Sequence, residues 1–184
     1  MKDAAGLTTA RLTLRRFTRD DLPLLQRLNS DERVMRYLGG VVAPEKSAEI
    51  LDARILKYYD ERPGLGIWAT LERNSGACIG FHLLNEVQMV GAIQVGYRLF
   101  LGAWGKGYAT EMSLALLRYG YEQLQLPLIT ANAHRDNSSS IRVLEKCGLK
   151  RMADRVIDHP AYANVGPVAW FERPAKEWLR ELAA

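Results

Sequence analysis

One stretch of the sequence joins an apolar run to a long helical pattern through a turn with three glycines. The apolar run covers residues 93–101, and the helical pattern begins at Tyr108. The first N–H groups of a helix lack internal partners and its dipole is positive there, so this junction suits an anion. Gly105 and Gly107 have no Cβ, so a phosphate can approach the main chain, and Lys106 adds a positive charge. The junction therefore predicts a pyrophosphate site.

Two common nucleotide-binding patterns do not fit this turn. A P-loop has Ser or Thr after its Gly-Lys pair, whereas Lys106 is followed by Gly107, and Gly102 lies too close to the pair. The dinucleotide fingerprint follows a first strand and ends in Gly or Ala, whereas this turn lies beyond mid-chain and continues to Thr110. A strand-to-helix turn that binds no ligand stays open as an alternative.

Two segments resemble the signatures of one protein family. Trp104-Gly105-Lys106-Gly107-Tyr108-Ala109 resembles the acyl-CoA loop Gln/Arg-x-x-Gly-x-Gly/Ala, with Trp in place of the usual first residue. Residues 130–149 contain Asn-x-x-Ser-x-Arg-Val-Leu-Glu-Lys-x-Gly and resemble the second signature of the GNAT superfamily of acyl-CoA N-acyltransferases, in particular its RimJ/RimL-type branch. The resemblance extends from residues 12–15 through residues 66–69 to the region of Trp170. It implies an N-acetyltransferase that uses acetyl-CoA.

The composition is that of an ordinary globular chain. Its 184 residues, 48% hydrophobic and 25% charged, fit one acyltransferase domain over residues 1–184. No apolar run reaches the length of a membrane span and no charged-then-apolar leader opens the chain, so we expect a cytoplasmic protein with no membrane partner. Cys78 and Cys147 lack metal-ligand spacing, so we expect reduced core thiols and no metal. The net charge of +4 is spread along the chain, which gives little support for nucleic-acid binding.

Apolar periodicity predicts a mixture of strands and helices. Strands are expected over residues 12–17, 66–72, 77–85, 93–101, 127–133, 151–158 and 168–173, with a hairpin turn at residues 73–76. Helices are expected from residue 20 and over residues 31–38, 45–59, 108–124, 137–147 and 174–182. Asn137 is the expected N-cap of its helix, and Gly148 follows its end. The fold class is α+β. The resemblance implies a mixed, mostly antiparallel, twisted sheet of about seven strands, flanked by helices and splayed at the acyl-CoA site.

The resemblance also implies which residues hold acetyl-CoA, the cosubstrate. Main-chain groups of residues 105–110 would bind the pyrophosphate, and those of residues 99–101 would pair with the pantetheine amides as an added strand does. Asn137 would pair with the pantetheine arm and Arg142 with a phosphate; a helix cap and a solvated surface residue are the alternative interpretations. The full expected set is Leu99, Leu101, Trp104, Gly105, Lys106, Gly107, Tyr108, Ala109, Thr110, Asn137, Ser140 and Arg142.

The residues that would handle protons depart from the family pattern. Many relatives carry a Tyr in the second-signature helix that can protonate the departing thiolate, whereas this chain has Leu144 there. Ser140 is the nearest hydroxyl and the candidate partner of the CoA sulfur, although a Ser in a first helical turn is also a common local cap. Relatives often have a Glu base where this chain has Gln94, which cannot take a proton. Glu86 and His82, on the neighbouring strand, are the other candidate bases.

The absence of a base at Gln94 favours a weakly basic acceptor. At pH 7.5 roughly a quarter to two-fifths of an α-amine is neutral, against about a thousandth of a Lys side chain. We therefore expect the acceptor to be a protein or peptide α-amine or a small-molecule amine.

Acceptor contacts and alternative functions are less constrained by the sequence. Tyr37, Trp68 and His82 are candidate contacts of the acceptor, and each is also a candidate packing residue. An acyl-CoA sensor without turnover and a protein-interaction domain on the same scaffold are the alternative functions. A homodimer is compatible with the family.

Overall fold

A computed structural model describes residues 3–87, 90–158 and 162–182. The strands are β1 (Leu12–Arg16), β2 (Gly66–Glu72), β3 (Cys78–Val87), β4 (Ala92–Leu99), β5 (Leu128–His134), β6 (Lys150–Arg151) and β7 (Val168–Pro174). The helices are α1 (Leu22–Ser30), α2 (Glu32–Met35), α3 (Pro44–Ile50), α4 (Lys57–Glu61), α5 (Tyr108–Arg118), α6 (Ser138–Lys146) and α7 (Ala175–Leu182). Wider π-helical turns join α3 to α4 through Leu51–Leu56 and extend α5 through Tyr119–Gln123.

Within these residues the strands form one sheet of seven, in the order β1-β2-β3-β4-β5-β7-β6. Every neighbouring pair is antiparallel except β4 and β5, which run parallel. The hairpin between β2 and β3 turns at residues 73–76, where Gly76 has a φ of +71°. The predicted α+β class and the mixed, mostly antiparallel sheet of seven strands are confirmed.

The β4–β5 junction is where the sheet opens. Among the described residues its register consists of the single pair Gln94–Thr130, and the Thr130 hydroxyl donates to the Ile93 carbonyl at 3.0 Å. Beyond that pair β5 continues beside β7, while β4 runs on to Leu99 beside β3 alone. In the part of the chain that the structure describes, the second half of β4 therefore has no strand beside its outer main-chain edge, which is the predicted splay.

Helices cover both faces of the sheet. Because successive side chains of a strand alternate between faces, Tyr97 and Arg98 point to opposite sides of β4. Tyr97 reaches Ser140 of α6, on the face that α5 also covers. Arg98 lies over the Phe81 ring on the other face and donates to Asn29 of α1. The splayed edge thus lies between the two helical layers.

The structure corrects several predicted boundaries. The strand predicted over residues 151–158 is wrong for most of its length, since pairing covers Lys150–Arg151 and one isolated bridge between Arg155 and Val168. The helix predicted over residues 31–38 covers only Glu32–Met35, and the chain then turns through Gly39 and Gly40 at positive φ. The β4 strand ends at Leu99 rather than at residue 101, because a 3-10 turn begins at Leu101.

Cys147 is buried, Cys78 is partly buried, and both are free. In the described residues no helix combines the length and apolar character that crossing a bilayer requires.

Candidate active site

The glycine loop, residues 104–107, follows the 3-10 turn after β4 and leads into the N-terminus of α5. Gly105 and Gly107 have φ values of +72° and +79°, in the left-handed region that favours glycine. Gly107 is the N-cap residue, and the first main-chain bond of the helix runs from the Glu111 N–H to the Gly107 carbonyl at 3.0 Å. The N–H groups of Tyr108, Ala109 and Thr110 precede that bond, so they are free of i→i−4 partners. The loop has the geometry of the predicted anion site.

The side chain of Arg11, the residue just before β1, contacts this loop. The Arg11 guanidinium donates to the Lys106 carbonyl at 2.9 Å and pairs with the Glu111 carboxylate at 2.6 Å. The same carboxylate accepts from the Arg11 main-chain N–H at 2.9 Å and from the Thr9 hydroxyl at 2.6 Å. Burial raises the pKa of Glu111, but these hydrogen bonds outweigh it and hold that pKa below its usual range. Arg11 therefore neutralises an acidic charge in the first turn of α5.

The open edge of β4 is lined by main-chain groups of alternate residues. The Ile93 carbonyl faces β5, so the main-chain groups of Val95, Tyr97 and Leu99 face the same side. The Trp104 indole N–H already donates to the Leu99 carbonyl at 2.8 Å. A ligand at the edge could therefore pair with the main-chain N–H of Leu99. Leu101 lies in the turn, and its carbonyl accepts from the Trp104 N–H at 3.0 Å. Within the region predicted for pantetheine, the strand edge reaches Leu99 and does not include Leu101.

The second-signature segment forms the start of α6 as predicted. Asn137 is its N-cap, and the side-chain oxygen of Asn137 accepts from the Ser140 N–H at 3.0 Å. That bond leaves the Asn137 amide N–H groups as donors. Arg142 is exposed, and its guanidinium lies 3.4 Å from the Ser139 hydroxyl. Leu144 is buried, so the position where relatives carry a Tyr belongs to the core here.

Neutral amides occupy the sheet face beside Gln94. The Gln94 side chain donates to Asn85 at 3.1 Å and accepts from Asn132 at 2.8 Å. Asn132 also donates to the Tyr162 hydroxyl at 3.2 Å. The place where relatives often carry a Glu base is thus held in an amide network.

An aromatic pair lies on the same face at the end of β5. Successive side chains alternate along β5, so His134 points to the same side as Asn132. The His134 ring lies 5.2 Å from the Tyr37 ring between centroids. Its Nδ1 accepts from the Asp136 N–H at 3.1 Å, so the neutral ring carries its proton on Nε2. Of the three predicted acceptor contacts, Tyr37 is the one on this face.

Glu86, Trp68 and His82 do not lie at the splayed edge. Glu86 follows Asn85 in β3, so it points to the face opposite Gln94, where it pairs with Arg62 at 2.9 Å. Trp68 has no exposed surface, and its indole N–H donates to Asp3 at 3.1 Å. These placements argue against Glu86 as a base and against Trp68 as an acceptor contact.

His82 is a core residue, as its alternative interpretation as a packing residue predicted. It is fully buried, and its Nδ1 lies 2.7 Å from the Thr70 hydroxyl. Burial lowers the pKa of His82 to about 3, so the ring is neutral at physiological pH. A buried neutral imidazole of this kind does not contact the acceptor amine and does not accept the proton of that amine.

The sequence analysis missed four residues of this region: Arg11, Tyr97, Asn132 and His134. Asn132 and His134 had a usable signal, because two polar residues at spacing two in a short apolar strand indicate one polar face. Arg11 and Tyr97 had none, because their partners Glu111 and Ser140 lie 100 and 43 residues away. In the described residues no cluster of acidic, His or Cys side chains is arranged to hold a metal ion.

The chain is similar to known acetyltransferases in sequence and in fold. A model of the acetyltransferase (GNAT) domain matches residues 11–150. YkkB of Bacillus subtilis (strain 168) is 30% identical over 154 residues, 81% of this chain and 87% of that protein. An acetyltransferase structure from Agrobacterium tumefaciens is 24% identical, with a TM-score of 0.78 over 91% of this chain and 92% of that one. Spermidine N-acetyltransferase from Vibrio cholerae, solved with CoA and spermine, is 19% identical, with a TM-score of 0.74 over 93% and 99%. The chain therefore belongs to the GNAT acetyltransferase family and is an N-acetyltransferase.

Proposed function

We propose that the enzyme binds acetyl-CoA along the open edge of β4 and transfers its acetyl group to the α-amine of a peptide or to a small-molecule amine. The amine attacks the thioester directly. One observation carries the proposal: the open edge ends in the glycine loop at the N-terminus of α5. A ligand with an amide-bearing arm and a pyrophosphate can use both features at once.

Each part of acetyl-CoA has a matching set of groups. The pyrophosphate lies against the N–H groups of residues 105–110, with Lys106 beside them. The pantetheine amides pair with the main chain of Val95, Tyr97 and Leu99, and Asn137 donates its amide N–H groups from α6. Trp104, whose side chain is half exposed, and Arg142 flank the CoA phosphates. Ser140 contacts the sulfur.

The acceptor amine approaches from the face that carries Gln94, Asn132 and Tyr37. The side chains bonded to Gln94 are neutral amides, so an ammonium group there loses its hydration without gaining a counter-charge. Such desolvation lowers the pKa of an amine. An α-amine with a pKa of about 7.7–8.0 needs a small shift to become neutral, whereas a Lys side chain at about 10.4 needs a large one. The site therefore favours α-amines without a dedicated base.

The second-signature segment supports placing the enzyme in the RimJ/RimL-type branch. Residues 137–148 match that pattern at each specified position, from the Asn137 cap to Gly148 beyond the end of α6. Acceptors of this branch include protein N-termini, which fits the preference for an α-amine. The expected location remains the cytoplasm.

Calorimetric titration tests the donor half of the proposal. Acetyl-CoA is titrated into the protein, with ATP and NADH as controls that share phosphates but lack pantetheine. We expect micromolar binding of acetyl-CoA and much weaker binding of both controls. A folded protein that does not bind acetyl-CoA would exclude the proposed donor site.

Release of free CoA thiol tests the acceptor half. Three acceptors are compared at pH 7.5: a Lys-free peptide with a free N-terminus, an N-acetylated peptide with one Lys, and spermidine. We expect the free N-terminus to react at least tenfold faster than the Lys peptide, because far more of it is neutral. Faster reaction of the Lys peptide or of spermidine would refute the α-amine assignment.

A further inference from the structure

Two hydroxyl groups join β4 to α6 across the splay. The Tyr97 hydroxyl oxygen, from the open edge of β4, lies 3.1 Å from the Ser140 hydroxyl oxygen in the first turn of α6. β5 precedes α6 in the chain and has left β4 at this point, so this contact bridges the two sides of the opening. The pair therefore lies where the arm of acetyl-CoA passes in the proposed complex.

Tyr97 and two of its neighbours, His82 and Cys147, are electrically neutral at physiological pH. Burial raises the pKa of Tyr97 to about 12, so the phenol keeps its proton throughout the physiological range. The ring centroid of the neutral His82 lies 5.7 Å from that of Tyr97. Burial likewise raises the pKa of the Cys147 thiol to about 12. Tyr97 therefore keeps its hydrogen-bond donor throughout the physiological range, and these two neighbours carry no charge there.

The direction of the hydrogen bond decides what Ser140 can do. Each hydroxyl has one proton, and either oxygen can accept. If Tyr97 donates to the Ser140 oxygen, the Ser140 proton is free to point at a third group. Two hydroxyls in such a chain polarise one another, so the outer one becomes a stronger donor. Leu144 leaves α6 without a phenol of its own, and Tyr97 supplies one from the opposite side of the splay.

We propose that Tyr97 is a positioning residue that directs the Ser140 hydroxyl proton toward the CoA sulfur. This inference rests on the proposed acetyl transfer. As the amine nitrogen forms its bond to the carbonyl carbon, the C–S bond breaks and its electron pair passes to sulfur. Ser140 donates a hydrogen bond to that thiolate without giving up its proton. The proton that the amine releases reaches the sulfur through solvent, so the products are the amide and CoA thiol.

The pKa of the CoA thiol bound to the enzyme tests this role directly. CoA is bound to the wild type, Tyr97→Phe and Ser140→Ala, and the ultraviolet absorbance of its thiolate is followed against pH. A hydrogen bond to the thiolate lowers the thiol pKa. We expect Ser140→Ala to raise it by about one unit and Tyr97→Phe by about half a unit. We also expect kcat of Tyr97→Phe to fall several-fold while KM for acetyl-CoA stays within about twofold.

Tyr119→Phe is the matched control. Burial also raises the pKa of Tyr119 to about 12, and its hydroxyl donates to the Gly64 carbonyl at 3.0 Å, away from the splay. We expect Tyr119→Phe to lose a buried hydrogen bond and to leave the pKa of the bound CoA thiol unchanged.

The possible outcomes separate this inference from the proposed function. Equal thiol pKa values in the wild type and Tyr97→Phe, both with CoA bound, would overturn the role of Tyr97 and leave acetyl transfer intact. Failure of the folded wild type to bind CoA would overturn both proposals. If Tyr97→Phe does not fold, Ser140→Ala decides. An unchanged pKa of the bound CoA thiol in Ser140→Ala would mean that Ser140 does not donate to the thiolate, and Tyr97 would then have no donor to direct.

Discussion

At the scale of single residues, Gly107 carries the strictest backbone requirement of the glycine loop. Its φ is +79°, and a Cβ there would lie 3.4 Å from an Arg11 guanidinium nitrogen. The left-handed conformation costs a non-glycine residue about 1–2 kcal/mol. We therefore predict that Gly107→Ala lowers the free energy of unfolding by about that amount and weakens acetyl-CoA binding at least tenfold. Urea denaturation and calorimetric titration measure the two effects.

Gly102→Ala is the control for this substitution within the same turn. A Cβ at Gly102 meets no atom within 4 Å, and Gly102 is not among the residues with positive φ. We expect both its stability and its affinity for acetyl-CoA to match the wild type. If Gly107→Ala bound acetyl-CoA as tightly as Gly102→Ala, the loop would not be the phosphate site.

At the scale of elements, the contact between β1 and α5 sets the charge of the phosphate site. Glu111 places a carboxylate in the first turn of α5, where it repels a phosphate, and Arg11 neutralises it. We predict that Arg11→Gln weakens acetyl-CoA binding roughly tenfold and destabilises the fold by about 1 kcal/mol. Adding Glu111→Gln to this variant removes the uncompensated charge, so part of the affinity returns. Calorimetry on the wild type and the two variants measures the recovery.

Arg19→Gln controls for loss of an arginine from a surface ion pair. Arg19 pairs with Asp52, and the two side chains are 81% and 57% exposed, so we expect a change of less than about 0.5 kcal/mol and unaltered binding. If the double variant Arg11→Gln/Glu111→Gln bound acetyl-CoA as weakly as Arg11→Gln alone, Arg11 would contact the phosphate itself.

Features that depend on local sequence were predicted, whereas features that depend on the pairing of strands were not. The β2–β3 hairpin, the Asn137 cap and the turn that leads from β4 into α5 depend on residues within a few positions of one another, and these local structures were predicted correctly. The Tyr97–Ser140 contact and the amide network of Gln94 depend on which strands lie side by side, a property of register rather than of local pattern. The face of the sheet on which Glu86 lies follows from the same register, and for that reason the sequence alone misplaced it.

At the scale of the whole molecule, His82 couples stability to pH. It lies buried on β3, flanked by β2 and β4, with Thr70 of β2 and Tyr97 of β4 as neighbours, so we expect it to become exposed when the central sheet is disrupted. Burial lowers its pKa from 6.5 to about 3. Between these values the unfolded chain binds a proton that the folded chain excludes. Stability is therefore highest above pH 6.5 and falls as the pH drops from 6.5 toward 3.

We predict that the free energy of unfolding declines by up to about 1.4 kcal/mol per pH unit between pH 6 and pH 5, where carboxylates contribute little. The measurement is urea denaturation at intervals across this range for the wild type, His82→Gln and His134→Gln. His82→Gln is less stable at every pH but loses the slope, because the group that titrates on unfolding is gone. His134→Gln is the matched control: it removes a partly exposed histidine and leaves His82 in place, so we expect it to keep the slope. A wild type whose stability is flat from pH 6.5 to pH 5 would mean that His82 accepts its proton inside the folded sheet.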